Sequence, residues 1–164
     1  FGPKYDDPYQ LPESFAVTKG WIDQVGFFCA PHFPFWWHET WVDEIVRMTG
    51  RYVWADVQWD KHGEHLNKTQ RMREVSWWAR FFDSTRQSRV DKAMEMLNGL
   101  DYPEWLRTQL KQQMRTTANA LWRRNSLVRD RGYEFERALG SESPIAPDAG
   151  YIQIRAEAEK MLSK

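Results

Sequence analysis

The sequence predicts a predominantly α-helical protein with a few short strands, an α+β class, and three observations carry that expectation. From residue 68 onward, apolar residues recur at three- and four-residue intervals, the spacing of one helix face. Helix-stopping glycines close such stretches at Gly26, Gly50 and Gly99. Only two runs, Phe15 to Thr18 and Arg51 to Trp59, combine β-branched or aromatic residues in the manner of strands.

Taken in order, Phe15-Ala16-Val17-Thr18 reads as a strand or strand end, and Lys19 to Val25 as a short helix closed by Gly26. Phe27 to Phe35 holds Pro31 and Pro34 and is loop. His38 to Met48 places Trp41, Ile45 and Met48 at helical spacing and ends at Gly50. "RYVWADVQW", residues 51 to 59, alternates like a second strand, and a polar loop around Gly63 follows. Helices are then expected over Lys68 to Phe82, through Met72, Val75, Trp78 and Phe82, and over Ser88 to Leu97, stopped by Asn98-Gly99. Pro103 fits a first helical turn, with Asp101 as candidate cap. Trp105, Leu106, Leu110, Met114, Leu121, Trp122 and Leu127 extend that helix to Gly132 or Leu139. "SESPIAPDAG" is a linker, and an amphipathic helix runs from Tyr151 to Leu162. The segments are thus 1–67, a helical region 68–140, a linker 141–150 and a final helix 151–164.

Composition narrows the function classes. Lys plus Arg and Asp plus Glu both number 23, so the net charge is zero, without the basic excess of a nucleic-acid or membrane-surface binder. The 164 residues suit one domain. Ten tryptophans imply a large core, a stacking surface for sugar or base, or a partner interface. The only cysteine, Cys29, excludes a disulfide framework and fits a reducing, cytoplasmic setting. No run of about 18 apolar residues spans a bilayer, and no signal or transit peptide is visible.

Chemistry concentrates in "HFPFWWHETWVDEI", residues 32 to 45. On a helix, Glu39 and Asp43 share a face, with His38 beside them and Arg47 one turn further, while Trp41 and Ile45 point to the body. A carboxylate in a first turn behind an aromatic loop can face a cleft and remove a proton from a hydroxyl. The plainer reading makes both residues carboxylates that favour the helix dipole and contact Arg47.

The order of features resembles the acceptor-side half of a GT-A type, family-2-like glycosyltransferase. The likeness is carried by Tyr5-Asp6-Asp7, "PESFAVTKGWIDQVGFF", the acidic motif Trp37 to Ile45, Gly50-Arg51 to Val57 and Glu64-His65, over about residues 5 to 85. It implies the second half of a GT-A α/β domain followed by a helical extension, with 1–67 as the acceptor-side segment. It implies transfer of a sugar from a nucleotide-sugar donor to a hydroxyl acceptor, with Glu39 as general base and Asp43 as second candidate. Trp36, Trp37 and His38 would meet substrate, and His65, or its neighbour His62, would help to hold a divalent metal (Mn or Mg) or the donor pyrophosphate. The nucleotide-binding half with its Asp-x-Asp motif is not in these residues, so the resemblance implies a longer enzyme or a remnant with another use.

Other clusters have plainer readings. His62 and His65 could offer imidazoles to zinc but read as polar loop. Trp41 and Trp54 are expected in the core. Arg80, Arg86 and Arg89 could meet a phosphate, and "RTTANALWRRNSLVRDR" an RNA, but solvated helix faces explain both. The alternatives to a transferase are therefore a helical interaction or assembly subunit, with homo-oligomer or partner contacts through the C-terminal helices, and RNA contact through the Arg-rich helix.

Overall fold

The computed structural model describes residues 15–33, 37–53, 74–139 and 149–163. Among the described residues there are six helices and no strand: α1 (Lys19–Val25), α2 (His38–Met48), α3 (Val75–Ser84), α4 (Arg86–Gly99), α5 (Glu104–Leu139) and α6 (Ala149–Leu162). The helical part of the expected class is therefore observed. Phe15 to Thr18 is not a strand; its last residue caps α1, the Thr18 hydroxyl accepting from the Trp21 amide at 3.3 Å. Arg51 to Val53 is likewise coil rather than strand, and the rest of that expected strand lies outside the described residues.

Local chemistry sets the ends. Gly26 closes α1 in the left-handed region (φ 91), where its amide bonds the Ile22 carbonyl at 2.8 Å. Gly50 plays the same part after α2 (φ 68), with the Leu110 methyls 3.5 Å from where a Cβ would stand. Of the helix expected over 68–82, the part from Val75 is observed as α3, preceded by Glu74 in the left-handed conformation (φ 53), and residues 68–73 lie outside the described residues. Thr85 separates α3 from α4, its hydroxyl donating back to the Phe82 carbonyl at 2.9 Å. α5 starts at Glu104, directly after Pro103, whose carbonyl accepts from Leu106 and Arg107. Its 36 residues make a rod about 54 Å long.

α2 packs against α4 and α5, α3 against α4, α5 and α6, and α1 against α4, so segments on both sides of residue 67 share a core. Trp41, Ile45, Trp78, Phe81, Phe82, Ala93, Leu97 and Met114 fill it, and the burial of Trp41 meets expectation. Each large side chain removed from water contributes about 1.5–3 kcal/mol. Phe33, from the loop before α2, inserts against Phe81 (ring centroids 5.3 Å) and Phe82 (5.9 Å), which ties that loop to α3. α6 is latched to α3 by polar contacts. The Tyr151 hydroxyl donates to Glu74 at 2.6 Å and accepts from the Trp78 indole at 3.0 Å, while the Arg155 guanidinium lies 3.1 Å over the Trp77 ring. Burial, and then the bond to Glu74, push the Tyr151 phenol up to about 12.

Candidate functional site

The three carboxylates of α2 have different surroundings, and the difference begins at its first residue. Trp37 precedes the helix with φ 70, a left-handed conformation that a bulky residue adopts only at a cost of about 1–3 kcal/mol. Its indole is buried, 2% exposed, and stacks on Phe82 at 6.4 Å, which helps to offset that cost. Its carbonyl accepts the first helical bond, from Trp41 at 2.7 Å. The Trp37 ring, which the resemblance implied would meet substrate, is part of the core, because α3 covers it.

His38 and Glu39 follow in the first turn. His38 Nε2 stands 2.8 Å from Glu39 Oε1, and the side chains remain 24% and 31% exposed. Glu39 is the acid of that turn, where the unsatisfied amides and the dipole favour negative charge. Cys29, from the preceding loop, feels the Glu39 carboxylate. Burial first, and that negative charge second, push its thiol up, so Cys29 is not an activated nucleophile. His32 lies among Phe27, Phe33, Trp41 and Phe81, with ring centroids 5.4 to 6.3 Å away. Burial lowers its pKa and favours the neutral ring.

One turn on, Asp43 and Glu44 are 2% and 4% exposed and fully engaged. Asp43 accepts from Arg47 Nε at 2.8 Å through Oδ1 and from Arg124 through Oδ2. Glu44 accepts from Asn125 through Oε1 and from Arg89 through Oε2. Arg89 also donates to the Phe82 carbonyl at 2.7 Å and to the Thr85 hydroxyl at 2.8 Å, and it lies 3.8 Å over the Phe82 ring. Desolvation lowers the Arg89 pKa, and Glu44 opposes that effect. The expected Asp43–Arg47 contact is present. As a base, Asp43 is poorly placed: both oxygens already accept charged hydrogen bonds, away from solvent.

Two arginines depart from the expected solvated faces. Arg89 is wholly buried and Arg124 is 7% exposed, whereas Arg80 is exposed and Arg86 reaches Asn119 and the Trp122 ring. The Arg-rich helix therefore spends Arg124 on the interior. Arg89, and the Arg-rich stretch that holds Arg124 and Asn125, read from the sequence as solvated faces, yet each of the three is in phase with an apolar stripe. Arg89 precedes Ala93, Met96 and Leu97, while Arg124 and Asn125 follow Met114, Ala118 and Leu121. Charged residues at core positions on α4 and α5 were the signal for partners on α2.

Trp36, Trp54, His62 and His65 lie outside the described residues. Among the described residues no group of three His, Cys, Asp or Glu side chains could hold a metal ion, and arginines and Asn125 occupy the Asp43 and Glu44 oxygens. None of the described helices is long and apolar enough to cross a membrane.

Fold and site together define a helical protein whose central helix carries a sealed ionic network in its middle and a half-open His–Glu pair at its start. No family model, curated protein or solved structure matches the chain significantly.

Proposed function

We propose that these residues are the acceptor side of a glycosyltransferase, with Glu39 as general base. One observation supports this above the others: Asp43 and Glu44 are sealed by arginine and asparagine, and Glu39 is the α2 carboxylate that keeps access to solvent. In the reaction, Glu39 accepts the proton of an acceptor hydroxyl while the hydroxyl oxygen bonds to the anomeric carbon of the donor. The anomeric carbon–phosphate oxygen bond breaks, and the nucleoside diphosphate leaves with the electron pair. General-base assistance of this kind contributes about 10²- to 10⁴-fold. No step is assigned to a metal, since His65, the ligand that the resemblance implies, lies outside the described residues.

The test uses the natural protein that contains these residues, with UDP-glucose or GDP-mannose and Mn²⁺, and follows the released nucleotide. Glu39→Gln should reduce release by at least a hundredfold with the thermal transition unchanged. Wild-type turnover in that variant would remove the base assignment.

A second reading, a helical assembly subunit, is favoured by one feature. Trp105 at the start of α5 is 68% exposed, and Ile152 on α6 is 55% exposed. Sedimentation of the wild type against Trp105→Glu distinguishes it: a self-associating chain loses mass in the variant, and a monomer does not.

A further inference from the structure

The balance of 23 cations against 23 acids conceals a local imbalance. Residues 105–129 hold no Asp or Glu and six cations: Arg107, Lys111, Arg115, Arg123, Arg124 and Arg129. All six lie on α5. The fold neutralises two of them, Arg107 through Glu104 at 3.3 Å and Arg124 through the buried Asp43. Lys111, Arg115 and Arg123 form no ion pair among the described residues.

Those cations share a surface. Lys111, Arg115, Asn119 and Trp122 follow one another at four-, four- and three-residue steps, a row along one helix face about 16 Å long. Arg123 stands four residues past Asn119. Arg86, at the start of α4, adds a cation from across the groove: it donates to Asn119 and lies 5.6 Å over the Trp122 ring. Screening confines a charge's influence to about 8–10 Å, so the sign of such a row matters more than the net charge of the chain.

The chemistry of the face narrows its partner. The apolar side of α5, with Met114, Ala118 and Leu121, is in the core, whereas a helix lying on a membrane needs that side free. The outward residues Gln109, Gln112, Thr116 and Asn119 are exposed and uncharged, and their amides and hydroxyl both donate and accept. That suits 2′-hydroxyls and unpaired base edges, while an acidic peptide would use only the donors. The Trp122 ring, 38% exposed, offers a surface for a stacked base.

We propose that this face of α5, together with Arg86, binds single-stranded RNA: Arg86, Lys111, Arg115 and Arg123 meet phosphates, and Trp122 stacks on a base. This binding does not depend on Glu39 being a base.

The test uses the full chain and a fluorescein-labelled oligouridine of about 16 nucleotides, read by anisotropy in about 50 to 200 mM salt. Binding with a Kd of about 1–100 µM is expected, and log K should fall against log salt with a slope of about −3, four phosphates on a single strand. Lys111→Gln with Arg115→Gln should halve that slope, while Arg115→Lys alone should keep it. Trp122→Ala should weaken binding about fivefold or more at an unchanged slope. The thermal transition should not move in the double variant, whose altered residues lie on the surface. No binding at about 50 mM salt, or an unchanged slope in the double variant, overturns the proposal. So does a polyglutamate that competes as well as unlabelled oligouridine, which would make the ligand an acidic chain. Tighter binding of oligothymidine or of duplex RNA than of oligouridine overturns it as well.

Discussion

Glu39 and Asp43 stand four residues apart on α2, on the same helix face, and have opposite surroundings. Asp43 is sealed, with both oxygens bonded to arginines. Glu39 is a third exposed and has His38 as its partner. The neighbours decide this rather than the helix. α4 and α5 cross the middle of α2 and bring Arg89, Arg124 and Asn125 to it, while a loop lies over its first turn. Equal chemistry and spacing therefore divide into a structural acid and an available one. A carboxylate motif read along one helix cannot show which is which.

The largest expected effect breaks the sealed side. Arg89→Leu leaves Glu44 buried without its cation and should cost about 3–5 kcal/mol in urea unfolding. Adding Glu44→Leu in the same chain should recover much of that loss, since a matched apolar pair has no charge to desolvate. If the single variant unfolds like the wild type, the network contributes nothing to stability. Asp43→Asn comes next: it weakens the bonds to Arg47 and Arg124 and should cost about 1–3 kcal/mol by the same measurement.

A smaller effect concerns the loop over α2. Burial lowers the His32 pKa in the folded state, so the unfolded chain binds more protons as pH falls. The contribution of His32 is thus present above its unfolded value of about 6.5 and is lost below it. Unfolding midpoints should fall between pH 7.5 and pH 5.5, and His32→Gln should flatten that slope. An identical slope in the variant would place the pH response elsewhere. The smallest effect sharpens the open side. Glu39→Gln should change stability by less than about 0.5 kcal/mol, because the group is accessible to water; a large loss would show Glu39 to be as structural as Asp43.

Much of the fold was legible because it rests on local signals. Gly26 and Gly50 mark the ends of α1 and α2 through their freedom at positive φ, and the periodicity of Trp41, Ile45 and Met48 gives α2 its bounds. The left-handed residue before α3 was not legible. Nothing in Glu74 itself announces a left-handed residue, and its conformation goes with contacts to Tyr151 and Arg155 some eighty positions away. Trp37 was misread for a similar reason: an aromatic in a Pro-rich loop looks equally suited to a cleft wall or a core until Phe82 is seen against it.

The sequence by itself determined the helical class, the bounds of α1 and α2, the burial of Trp41 and Ile45 and the Asp43–Arg47 pair, because each depends on contacts within a few residues. Only the tertiary structure decided that Arg89 and Arg124 enter the core, that Trp37 is covered, and that Glu39 rather than Asp43 stays open. Those outcomes depend on which helix crosses α2 at which turn, and a stripe position on one helix does not name the segment that covers it.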